Sequence, residues 1–222
     1  MIKAVIFDFD GLIIDTETVW YHSFREALAN HGVELSLEEF APFIGTHGSA
    51  FDRYLAEKVA NQAQLAEVKR LAGELHREKI QHVDARDGVR AYLTEAKDLG
   101  LRIGLASSSN REWVEEYLRK LQLLSFFEVI KTEDDVREVK PNPELYLKAV
   151  SALEILPSEA IAFEDSAIGA KAAKAAGVHC VIVPNGATGL LTFENYDLRI
   201  ESMADQSLAD VVRRMEGIKS QQ

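Results

Sequence analysis

The sequence predicts an α/β protein: an open parallel sheet with helices on both faces and one all-helical insertion. Three observations carry this reading. Five short apolar runs, at residues 4–9, 101–106, 127–131, 160–163 and 178–183, are rich in Val and Ile with little alternation. That pattern belongs to parallel strands covered on both faces. Segments with helical periodicity, at 112–121, 143–153 and 167–176, lie between the later runs. Strand alternating with helix implies right-handed crossovers and an open sheet. Between residues 16 and 84 no strand pattern occurs, and helical patterns at 20–30, 36–44, 50–59 and 65–80 take its place.

The first strand, 4–9, feeds directly into this helical stretch, which is too long for one crossover. The junctions fall at 12–15 and 84–88, so residues 1–15 and 85–222 form the α/β core and 16–84 a helical insert. An insert at the C-terminal end of a strand lies beside the crevice where open α/β sheets bind ligands. It reads as a lid, with an independent helical module as the alternative. Asp87-Gly88 opens a helix at 89–99, and Gly100 stands where a helix closes. Ser166 is placed to N-cap the Ala-rich helix 167–176, with Gly177 at its end, and 207–215 reads as the last helix.

Composition narrows the partners. The chain has 222 residues, 47% of them hydrophobic, which suffices for a substantial core. Its formal net charge of −11 argues against nucleic acid, whose phosphate backbone needs a basic surface. A local site for a small phosphorylated ligand stays compatible with that charge. The single cysteine, Cys180, lies in an apolar run and reads as a buried thiol. No Cys/His spacing suits zinc, and no apolar stretch is long enough for a membrane span or reads as a secretion signal. The expectation is a cytoplasmic protein that contacts no membrane.

The chemistry gathers at strand ends. Asp8 and Asp10 stand two residues apart where the first strand ends. Two close carboxylates repel, and a divalent cation is the usual offset. Such a pair also supplies one group for attack and another for proton transfer. Ser107-Ser108-Ser109-Asn110 follows the second strand, Lys140-Pro141-Asn142-Pro143 the loop after the third, and Glu164-Asp165 the fourth. Each has a plain alternative: helix cap, solvated lysine, loop acids. In a parallel sheet, however, all these ends share one edge. Acids call for Mg²⁺, hydroxyls and a lysine for a multi-oxygen anion, and a phosphoryl group with Mg²⁺ satisfies both.

These residues resemble the haloacid dehalogenase superfamily. Its D-x-D-G motif stands as Asp8-Phe9-Asp10-Gly11, its Ser/Thr motif as Ser107, its lysine motif as Lys140-Pro141-Asn142-Pro143, and its acidic motif as Glu164-Asp165. The helical insert resembles the family's cap. Asp15-Thr16-Glu17 resembles the branch containing β-phosphoglucomutase and phosphoglycolate phosphatase. The resemblance implies a Rossmann-like core with an inserted cap domain, and Mg²⁺ as cofactor. By position it makes Asp8 nucleophile and metal ligand. Asp10 becomes general acid/base, with its main-chain carbonyl on the metal. Ser107 and the Ser108 N–H hold phosphoryl oxygens, and Lys140 contacts both phosphoryl group and nucleophile. Asp165, with Glu164 directly or through water, completes the metal site.

Three activities follow as expectations: hydrolysis of a small phosphorylated metabolite, phosphoryl transfer within a sugar as in a mutase, and phosphate binding without catalysis. Asp10 favours ester cleavage, because a leaving alkoxide needs a proton and a halide does not. The mutases carry a histidine where Trp20 stands, and an arginine where the loop Ile44-Gly45-Thr46-His47-Gly48 offers glycine. Hydrolysis is therefore the expected reaction. His47 is a candidate substrate contact or a solvated loop residue, and Arg111 a candidate for an anionic substrate or an exposed first-turn residue. Trp20, Tyr21 and Phe24 either line the pocket or form the insert's core. A monomer suffices for a site built within one chain.

Overall fold

The computed structural model describes residues 1–44 and 48–219. Its elements follow in chain order. Strand β1 (Ala4–Phe7) leads into helices α1 (Thr16–Ala29), α2 (Leu37–Phe40), α3 (Gly48–Lys58) and α4 (Gln62–Ile80). Helix α5 (Val89–Asp98) precedes β2 (Arg102–Ala106), α6 (Arg111–Lys120), β3 (Val129–Lys131) and α7 (Glu144–Ala152). Then come β4 (Ala160–Glu164), α8 (Ala167–Ala175), β5 (His179–Ile182), β6 (Leu198–Arg199) and α9 (Leu208–Lys219).

Among the described residues the strands form one six-stranded sheet, ordered β3-β2-β1-β4-β5-β6, with every pairing parallel. Successive strand residues point to opposite faces. Val5 and Phe7 join Ile103, Leu105, Ile161, Phe163 and Val181 in one buried cluster, covered by α5, α6 and α9. Ala4 and Ile6 join Ala160, Ala162, Cys180 and Ile182 in another, covered by α7 and α8. A third cluster lies among the helices between β1 and α5, with Tyr21, Leu28, Phe40, Phe51, Leu55 and Val68 at its centre.

Several expected boundaries shift for local reasons. Helix α1 begins at Thr16 because Asp15 accepts the Thr18 N–H at 3.0 Å and caps it there. The expected helix 36–44 is split: α2 ends at Phe40 and a 3₁₀ turn, Ala41–Phe43, follows. Pro42 has no N–H to continue the helical ladder. Strand β6 went unanticipated because a two-residue pairing carries no readable periodicity. The Ser166 cap is present, its hydroxyl accepting the Gly169 N–H at 3.0 Å.

Candidate active site

Parallel pairing brings the C-terminal ends of β1, β2, β3 and β4 to one edge of the sheet. The register goes further. Ala4 pairs with Ala160, and Ile6 with Ala162. Counting on by twos sets Asp8 beside Glu164 on the α7/α8 face, with the Asp8 N–H on the Phe163 carbonyl at 3.0 Å. Lys140 enters between them from the β3–α7 loop. Its Nζ donates to Asp8 Oδ1 at 2.5 Å and to Glu164 Oε1 at 2.7 Å. The Tyr146 hydroxyl of α7 donates to the same Glu164 oxygen at 2.5 Å. Burial works against the ammonium charge on Lys140, but Asp8 and Glu164 outweigh it and raise the pKa.

Glu164 packs against Gly169 of α8 so closely that a Cβ there would lie 1.9 Å from Oε2. Asp165 turns to the neighbouring loops: Asn185 Nδ2 donates to its Oδ2 at 2.9 Å and to the Gly11 carbonyl at 3.0 Å. Gly11 has a φ of +80°, and a Cβ on it would meet Asp165 Oδ2 at 2.1 Å, so only glycine fits. Arg86 fastens the same loops, donating to the carbonyls of Gly11 and Pro184, each at 2.6 Å.

Asp10 is held separately. Ser109 Oγ donates to its Oδ2 at 2.6 Å, and Trp113 Nε1 to its Oδ1 at 3.0 Å. Burial is the main cause that raises its pKa, with the Asp8 charge adding to it against these hydrogen bonds. Ser107, at the end of β2, is buried, and its hydroxyl accepts the Ser109 N–H at 3.0 Å.

Asp8, Glu164 and Asp165 each offer a carboxylate oxygen within 4.8 Å of the others. Opposite ligands of an octahedral Mg²⁺ lie about 4 Å apart, so this all-oxygen set suits that ion. Charge argues the same way. A single ammonium faces three carboxylates, and burial followed by the Asp8 charge raises the pKa of both Glu164 and Asp165. A divalent cation would relieve this excess.

A cavity of about 630 Å³ opens over these groups. It is lined by Asp8, Asp10, Ser107, Ser108, Lys140 and Asp165, and by the rings of Trp20, Phe24, Phe40 and Phe51 from the helical segment. A second cavity of about 540 Å³ shares Asp10, Ser108 and Trp20 and continues toward His76, Arg77 and Trp113. Glu17 lines both cavities. Burial, then the charges of Asp10, Asp15 and Asp8, push its pKa up to about 8.

The structure thus gathers Asp8, Asp10, Ser107, Ser108, Lys140, Glu164 and Asp165 at one place. Arg111 is the first residue of α6. It lines neither cavity, and its guanidinium is taken up by Asp135 at 2.7 Å, Glu115 at 3.3 Å and the Ile130 carbonyl at 3.1 Å. His47 lies outside the described residues. Trp20 and Phe24 line the main cavity, whereas Tyr21 is buried in the helical cluster. Sequence reasoning missed Arg86, Trp113, Tyr146 and Asn185. Asn185 alone had a signal, since it closely follows the fifth apolar run.

A buried carboxylate cluster with one lysine, at the C-terminal edge of a parallel sheet, has the make-up of an enzyme's active site. The sequence pattern of the haloacid dehalogenase-like hydrolases matches residues 5–183. YhcW of Bacillus subtilis, named a presumed phosphatase, is 52% identical over 210 residues, covering 94% of this chain and 96% of its own. A phosphorylated carbohydrates phosphatase of Thermotoga maritima is 31% identical over 79% of this chain and 82% of its own. The crystal structure of CbbY from Rhodobacter sphaeroides in complex with phosphate superposes with a TM-score of 0.72 at 30% identity, covering 94% and 98% of the two chains. The chain belongs to the haloacid dehalogenase-like hydrolase family.

Proposed function

We propose that this chain is a Mg²⁺-dependent phosphatase of small phosphorylated metabolites, of sugar phosphate or phosphoglycolate type, working through an aspartyl phosphate on Asp8. The observation that carries the reading is Asp8 itself. It is nearly buried, held by Lys140, and beside Glu164 and Asp165, with the Asp10 carboxyl in the same cavity. A phosphatase needs this combination of a nucleophile, a countercharge and a separate proton donor.

The Asp8 carboxylate attacks phosphorus while Asp10 gives its proton to the departing ester oxygen. The burial that raises the Asp10 pKa supports a protonated start. Water then attacks the aspartyl phosphate and passes a proton back to Asp10, releasing inorganic phosphate. Lys140 and the Ser107 and Ser108 groups hold the phosphoryl oxygens. Mg²⁺, held by Asp8, Asp165, the Asp10 carbonyl and Glu164 directly or through water, would lower the repulsion between phosphate and carboxylate. In this reading residues 16–84 act as a cap over the core of 1–15 and 85–222, and their aromatic rings keep bulk water from the first step. The protein works as a cytoplasmic monomer.

The test is a hexose 1-phosphate supplied with Mg²⁺. The chain releases inorganic phosphate, and Asp8→Asn releases none. A hexose 6-phosphate product with little free phosphate overturns hydrolysis in favour of the mutase. Normal turnover by the variant overturns the nucleophile assignment.

A further inference from the structure

We infer that Trp113 is a positioning residue for the acid/base Asp10: its indole N–H fixes the carboxyl that must protonate the leaving group. The inference rests on the phosphatase reading and adds to it a residue outside the sequence motifs.

Each oxygen of the Asp10 carboxyl has a donor. Ser109 Oγ holds Oδ2 at 2.6 Å, and Trp113 Nε1 holds Oδ1 at 3.0 Å. The hydroxyl can rotate and serve other acceptors, whereas the indole N–H has one direction and no acceptor function. Ser107 Oγ lies 3.5 Å from the same Oδ2, while the indole is the donor on Oδ1, so the plane of the carboxyl depends on the indole. Proton transfer to a leaving oxygen requires hydrogen-bond distance and alignment, so this orientation bears directly on the reaction.

The indole is itself held. Asn110 caps α6 by accepting the backbone N–H of Trp113 at 2.8 Å, which sets the residue in the first turn. Tyr117, one turn on, lies against it with ring centroids 4.4 Å apart. From the helical segment His76 faces it at 6.3 Å, and His76 stacks on Trp20 at 3.7 Å. Trp113, His76, Trp20 and Asp10 line one cavity. Two rings, Trp20 of α1 and His76 of α4, thus lead to the residue that holds the acid.

A donor to a buried carboxyl matters only where the proton matters. An alkyl phosphate has a poor leaving group and depends on Asp10. An aryl phosphate such as p-nitrophenyl phosphate leaves as a stable anion and depends on it far less. Trp113→Phe keeps a ring in place and removes the N–H.

The experiment compares kcat/KM for glycerol 1-phosphate and p-nitrophenyl phosphate in the native chain and in Trp113→Phe, with Mg²⁺ present. Asp10 becomes a carboxylate as it gives up its proton, and loss of one hydrogen bond to that charge corresponds to about a 10- to 100-fold effect. The ratio of alkyl to aryl kcat/KM is therefore expected to fall by at least about 10-fold. A variant that merely folds less well lowers both values alike and leaves the ratio unchanged. An unchanged ratio overturns the inference, and so does a higher ratio, which would mean that the indole restrains Asp10 from its task. A native chain that hydrolyses neither ester refutes the phosphatase reading instead, so the two failures are distinct.

Discussion

Gly169→Ala sets two physical effects against each other inside one helix. Gly169 is the third residue of α8 and has ordinary helical φ, so propensity alone favours alanine by about 1 kcal/mol. Space argues the other way. The new methyl would stand 1.9 Å from Glu164 Oε2 and 2.1 Å from Cδ, well inside van der Waals contact. Glu164 is fully buried and cannot retreat into solvent. Its Oε1 already accepts from Lys140 and Tyr146, so a shift stretches both hydrogen bonds. Overpacking costs about 1–3 kcal/mol, and weakening a buried hydrogen bond about 1–3 more. Sterics win, leaving a net loss of about 3 kcal/mol after the helix gain. For a chain of this size the melting temperature falls by about 6–12 °C. Lys140 loses one of its two anchors, and kcat/KM falls by about 10-fold or more. Calorimetry and a phosphate-release assay read both effects. A variant that melts higher and turns over normally would show that Glu164 is not confined as described.

Other tests follow from the charges. Excess chelator should stop turnover and added Mg²⁺ restore it, with phosphate release as the measure; unchanged rates in chelator would rule out the metal. In metal-free buffer Glu17 should make the fold less stable as pH rises. Its folded pKa of about 8 exceeds the ordinary 4.5, so the native state holds the proton more tightly across that window. The stability is present below about pH 4.5 and is lost toward pH 8, by at most about 1.4 kcal/mol per unit. Denaturant titrations of Glu17→Gln should show a shallower slope between those values, and a slope equal to the native one would refute the burial argument.

The core was legible because parallel strands advertise themselves. The run Ala4-Val5-Ile6-Phe7 is apolar on both faces, and β1 is buried on both. Once the strands are placed, motifs at their C-terminal ends must meet. Asp8, Ser107, Lys140, Glu164 and Asp165 were readable on that ground. The surroundings of Arg111 were not legible, because a charge in the first turn of a helix looks free until its neighbours are known. The Ile130 carbonyl of β3 and Asp135 from the turn that follows it take the guanidinium up.

By itself the sequence determined strand order of appearance, the helix start set by Ser166, and the carboxylates that a parallel edge must bring together. These follow from periodicity, capping and local turn chemistry, all of which act over a few residues. Only the tertiary structure decided how the charges are held. Trp113 reaches Asp10 across 103 residues of chain, and Asn185 reaches Gly11 across 174. Such contacts depend on packing between elements, and nothing in the local pattern of either partner encodes the other.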